Sequence, residues 1–160
     1  ELLDATLREA VPEGADAETS IRALVPALIA AARQHGNYNV LYNEITSGSC
    51  REFAPELARE IESRTARLYT RLFETAKEVG ALAPGLAPEA AAFFFDNLLM
   101  MLQFSYSCDY YQHRMRLYCG ENAAWNDEMM ADQLTRFLLG AMRGEGSCNI
   151  SLPTTSEPPA

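Results

Sequence analysis

Residues 90–111 read AAAFFFDNLLMMLQFSYSCDYY, which is more apolar surface than one face of an ordinary surface helix can hold. Asp96, Asn97 and Gln103 interrupt it, and its longest unbroken apolar run is residues 90–95. A spanning helix needs about 20 predominantly apolar residues, so the stretch is not read as a membrane segment. A helix this oily has to be covered on more than one side, and that requirement shapes everything else the chain can do.

Pro88 suits the first turn of this helix and Gly120 its stop, which predicts one element to about Tyr118, about 31 residues and roughly 46 Å long. On a helical wheel Glu89, Asp96, Gln103, Ser107 and Arg114 share a narrow polar strip. Ala91, Phe94, Leu98, Met101 and Ser105 lie opposite. Phe93, Asn97, Met100, Phe104 and Tyr111 form one flank, and Phe95, Leu99, Leu102 and Tyr106 the other. The apolar arc exceeds the ~100° that a helix needs against one core. The expectation is that one flank meets the chain's own core and another meets a second copy, with the last helix as companion. Two such helices from each subunit would make a four-helix homodimer interface.

The rest of the chain also reads helical. ETSIRALVPALIAAARQHG places Ile21, Leu24, Val25 and Leu28 on one face, with a kink expected at Pro26 and a stop at Gly36. A short helix is expected over residues 38–47, stopped by Gly48. In the helix that Pro55 opens and Gly80 closes, Leu57, Ile61, Leu68, Leu72 and Val79 form the expected stripe. Arg59, Glu60, Glu62, Arg67, Arg71 and Lys77 mostly take the other side. In the last helix Asn126 is the cap, Trp125 staples onto Met130, and Met130, Leu134, Phe137, Leu138 and Ala141 are the stripe. No strand alternation persists, so the fold class is all-α, with about six helices over residues 1–144. Residues 145–160, rich in Pro, Ser and Thr, read as a disordered tail. Leu2, Leu3 and Leu7 follow helical spacing without a cap, which suggests a helix entered midway and a missing upstream part.

A chain of 160 residues allows one domain with a real core. Its 13 Lys+Arg against 22 Asp+Glu give a net charge of −9, which repels a phosphate backbone and argues against anionic membranes. Cys50, Cys108, Cys119 and Cys148 include no C-x-x-C pair, so they read as reduced, buried thiols of a cytoplasmic protein rather than a zinc site or disulfide framework. Cys108 and Cys119 would lie about 16 Å apart along one helix, too far to bridge. His35 and His113 lack the Glu-x-x-His spacing of a di-iron bundle, and neither a nucleophile triad nor a phosphate loop is present. No enzyme chemistry, metal or cofactor is expected. Tyr38, Tyr42, Tyr69, Phe73, Phe94, Met101 and Phe104 either line an apolar cavity or simply fill the core. For Asn97 three roles stay open: a bond across a dimer, a cavity cap, or a hydrated amide.

The order of these elements resembles the C-terminal regulatory domain of the TetR-like (tetracycline-repressor-like) family of bacterial transcription regulators. The resemblance rests on RLFETAKEVGALAPGLAPEAAAFFFDNLLMML at residues 71–102, on PELAREI from Pro55 and on LTRFLLGAMRG from Leu134. It covers roughly residues 1–144 and is one of pattern and helix order. Ala87 stands where the family often places a capping Asp, which forgoes about 1 kcal/mol. The resemblance implies a small-molecule-sensing domain that controls operator binding by an N-terminal helix-turn-helix domain absent from this chain. It implies an effector pocket lined by Tyr42, Leu68, Phe94, Asn97, Met101 and Phe104, for a small, largely apolar molecule. The implied dimer interface uses the last two long helices, with Tyr111, Met130, Leu134, Phe137, Leu138 and Ala141 as candidates. A helical dimerisation or protein-interaction module without a ligand is the alternative.

Overall fold

The structure is a computed structural model that describes residues 6, 9–12, 14–49, 51–122 and 126–143. Six α-helices are described and no strand appears among these residues: α1 (Ala17–Gln34), α2 (Gly36–Glu44), α3 (Ala54–Glu78), α4 (Pro88–Ser107), α5 (Asp109–Cys119) and α6 (Asp127–Arg143). A π-turn (Ile45–Ser49) and a 3₁₀ turn (Arg51–Phe53) join α2 to α3. The readings placed on Leu2, Leu3, Leu7, Cys50, Trp125, Cys148 and residues 144–160 lie outside the described residues.

Helix α1 packs against both α4 and α6. Ile21, Leu24, Val25 and Leu28 are all buried, as their spacing predicts, together with Ile29 and Ala32. The N-terminus of α1 has a cap that the sequence reading did not single out. Asp16 accepts a hydrogen bond from Thr19 N–H at 2.7 Å and offers its own carbonyl to Ser20 Oγ, also at 2.7 Å. Pro26 sits inside α1, which continues through it to Gln34. The helix ends at His35 (φ −128°, ψ 34°), and Gly36 begins α2 instead of acting as a left-handed stop. Gly80 and Gly120 do serve as stops, at φ +74° and +87°, where a side chain would be strained. Asn126 caps α6 by accepting from Met129 N–H at 3.0 Å.

Helix α4 packs most extensively on α3 and α5, and also on α1 and α2. Its flank of Phe95, Leu99, Leu102 and Tyr106 enters the core, where Phe95 makes edge-on contacts with Tyr69 at 4.9 Å and Phe73 at 5.6 Å. Fully burying each such side chain stabilises by roughly 1.5–3 kcal/mol.

Three further expectations are corrected. The long helix breaks at Cys108 (φ −111°, ψ 129°) instead of running to Tyr118. No proline or glycine marks the place; long-range bonds compensate for it. Ser107 Oγ donates to Ala32 O at 3.3 Å and accepts from Asn39 Nδ2 at 2.9 Å. Gln112 Nε2 donates to the Tyr106 carbonyl at 3.3 Å, one of the carbonyls a helix leaves unpaired at its end.

The second correction concerns α3, which is rotated from its predicted stripe. Thr65, Tyr69, Phe73 and Ala76 are buried, whereas Ile61, Leu68 and Val79 are exposed. Likewise α6 buries Ala131, Thr135, Leu138, Leu139 and Met142. Met130 and Leu134 pack at the core's margin, while Phe137 and Ala141 face outward. The third correction is Cys119, which is exposed, whereas Cys108 is buried as expected; both are free thiols.

The two ends of α6 are tied to α1. Arg33 holds Asp127 with a fork of two bonds, Nε to Oδ2 at 3.0 Å and a terminal nitrogen to Oδ1 at 2.6 Å. Arg143 pairs with Glu18 at the other end. The pairs fix α1 and α6 antiparallel, and Ala83 N–H donates to Met142 O at 2.7 Å to seat the α3–α4 connector.

Candidate functional site

The residues predicted to line an effector pocket do not all converge. Tyr42 on α2 and Phe104 on α4 meet, with ring centroids 5.9 Å apart. Phe104 also lies 5.5 Å from Tyr111 on α5, and Tyr111 5.3 Å from Tyr110. This succession of rings runs from exposed Tyr110 inward to buried Phe104. Leu68 and Phe94, by contrast, are 45% and 58% exposed. Met101 is half-buried, and so is Asn97, whose amide donates to Phe93 O at 2.7 Å in the preceding turn of its own helix. A bond within α4 satisfies the amide locally.

The sequence reading missed the polar partner of this aromatic group. Tyr42 donates its hydroxyl hydrogen to Glu62 Oε1. The sequence pattern puts Glu62 on the solvent side of α3, yet it begins the inward series Glu62, Thr65, Tyr69, Phe73 and Ala76, spaced by three and four. That series is the available signal, obscured because its first two members are polar. Asp96 approaches the same region from α4. Burial first, and the Glu62 carboxylate second, push its pKa up from 3.8 to about 6. Burial likewise raises the Tyr42 and Tyr69 hydroxyls, with Glu62 and Asp96 adding to the effect. Two carboxylates and two phenols therefore converge where α3 packs on α4, within reach of α2. The predicted polar strip of the long helix points inward at Asp96, while Phe93, Phe94 and Leu98 point out.

Among the candidate interface residues, Leu138 is buried within the chain, Tyr111, Met130 and Leu134 are half-buried, Phe137 is 62% exposed and Ala141 is exposed. Gly140 is exposed too, with open space where a Cβ would stand. A recess of about 420 Å³ lies away from Tyr42, between α1 and α6.

The described residues contain no group of three or more His, Cys, Asp or Glu side chains able to hold a metal ion. No described helix is long and apolar enough to cross a membrane. No family model, curated protein or solved structure matches this chain.

Proposed function

We propose that the chain is the small-molecule-sensing and dimerising domain of a TetR-like bacterial transcription regulator, acting in the cytoplasm as a repressor. One observation carries this reading most strongly: the broad apolar arc of α4 divides into a buried flank and an outward face with exposed Phe93, Phe94 and Leu98. In a chain of net charge −9, an uncharged face is where a second copy can approach without like-charge repulsion. Tyr42 and Phe104 then supply an apolar effector site among α2, α4 and α5. An effector held there biases the helices leading to an N-terminal DNA-reading domain, so that effector and operator oppose each other through linkage.

Native mass spectrometry of the purified chain tests both halves. A dimer carrying a small-molecule adduct is expected, with Phe94→Ser plus Leu98→Ser giving monomers and Phe104→Ala losing the adduct. A chain that stays monomeric at micromolar concentration overturns the reading. The second reading, a helical interaction module that binds no small molecule, is favoured by the outward placement of Leu68 and Phe94. It gives a dimer that is free of adduct and whose melting temperature small apolar compounds leave unchanged.

A further inference from the structure

The recess between α1 and α6 has a chemical pattern of its own, and it shares no residue with the Tyr42 site. Its middle is apolar: Pro26, Ile29, Ala30 and Ala131. Both of its ends accept hydrogen bonds. At one end lie Arg22, Pro26, Asp132 and Thr135. Proline has no N–H, so the carbonyl of Arg22, four residues earlier, loses the donor a helix would give it. Thr135 lines the recess from α6. It is only 6% exposed, and its hydroxyl has no hydrogen-bond partner among the described residues, including the carbonyl one turn back that such a side chain ordinarily takes. At the other end lie Asp127 and Glu128.

The charged groups around the recess are almost all committed. Arg22 is engaged by Glu18, Asp127 by Arg33 and Asp132 by Arg136. Glu128 is the lining carboxylate with no ion pair among the described residues. The two ends are Glu128 and Thr135, seven residues apart on one helix, hence about 10 Å at the standard rise. A 420 Å³ recess falls within the ordinary range for small-molecule sites, about 300–1,000 Å³.

We propose that this recess binds a linear aliphatic polyamine, one ammonium held by the Arg22 carbonyl and the Thr135 hydroxyl, the other by Glu128, with the alkyl chain lying over Ile29 and Ala131. An ammonium offers three donors and no acceptor, which matches the oxygen acceptors left uncommitted at the two ends once Arg22 is engaged by Glu18. The separation of the ends selects by chain length, and that distinguishes this site from diffuse attraction to an acidic surface.

Calorimetric titration of the 160-residue chain with spermidine, diaminooctane and diaminopropane, at fixed ionic strength with magnesium present, provides the test. Saturable binding of one spermidine per chain is expected, with diaminooctane bound more tightly than diaminopropane. Glu128→Gln weakens spermidine about tenfold or more and Thr135→Val by about three- to tenfold, as loss of a charged and a neutral hydrogen bond requires. Pro26→Ala restores an N–H to the Arg22 carbonyl and weakens binding several-fold while leaving helix content, read by circular dichroism, intact. Glu128 is exposed, so that variant reports on the site even if Thr135→Val perturbs packing. Absence of saturable binding, equal affinity for the two diamines, displacement by magnesium, or no effect of Glu128→Gln and Pro26→Ala overturns the proposal. None of these outcomes bears on the Tyr42 site.

Discussion

Replacing Asp96 by asparagine should stabilise this protein at neutral pH, which is unusual for a half-buried polar residue. Asp96 is more buried than exposed, engages in no ion pair among the described residues, and has the Glu62 carboxylate nearby. Its pKa rises from 3.8 unfolded to about 6 folded. The native state therefore binds the proton more tightly than the unfolded state does, and stability falls as pH rises from 3.8 to about 6. At 1.36 kcal/mol per pKa unit, the ionised carboxylate costs at most about 3 kcal/mol at pH 7. Water at this partly exposed site screens the cost to about 1–2 kcal/mol. An asparagine side chain keeps the shape of Asp96 and removes its charge. Urea denaturation of Asp96→Asn should show a midpoint raised by roughly 0.5–1 M at pH 7, given a slope of ~2 kcal/mol per M. The advantage of the variant should fade toward pH 4, where Asp96 is increasingly protonated in both states. A variant no more stable than wild type at pH 7, or an advantage that does not shrink on acidification, refutes this account of the α3–α4 contact.

The Arg33–Asp127 fork has the opposite pH sign. The Arg33 bond holds the Asp127 pKa below its usual range, so its contribution is present above the unfolded value of 3.8 and lost as pH falls through the folded one. The pair is about a third exposed, and Asp127→Asn should cost no more than ~1 kcal/mol in thermal melts at pH 7 and nothing below the folded pKa. Neighbouring phenylalanines on α4 should behave quite differently. Phe95→Ala should lose about 3–5 kcal/mol through cavity formation, while Phe94→Ala stays within about 0.5 kcal/mol in chemical denaturation of the monomer. Similar losses for the two would mean that α4 is rotated from the orientation described. Gly140→Ala fills open space on a helix and should stabilise a monomer by up to ~1 kcal/mol. A loss of dimer, read by sedimentation, would instead place Gly140 under a partner helix.

Much of the architecture is legible in local chemistry. The 3.6-residue spacing of Ile21, Leu24, Val25 and Leu28, the glycines at 80 and 120, Pro55, Pro88 and the Asn126 cap each specify a helix or its end through backbone geometry, which depends on few neighbours. The same spacing in Phe95, Leu99, Leu102 and Tyr106 marks one of two apolar flanks of α4, and only the packed structure makes it the core one. Helix existence and most helix limits can therefore be read residue by residue.

Rotation and interruption cannot. The α3 stripe expected from sequence follows the largest aliphatic side chains, but packing against α4 favours Thr65, Tyr69 and Phe73, because an aromatic ring placed edge-on to Phe95 buries more surface than Leu68 at the margin. The break at Cys108 depends on Ala32 and Asn39, which lie far away in sequence and hold Ser107 across the fold. Likewise, the gathering of Tyr42, Glu62 and Asp96 requires three helices to be placed relative to one another. Local sequence sets which torsions each residue prefers. Only the packed structure decides which side of each helix faces its neighbours, because that choice minimises exposed apolar area over the whole chain at once.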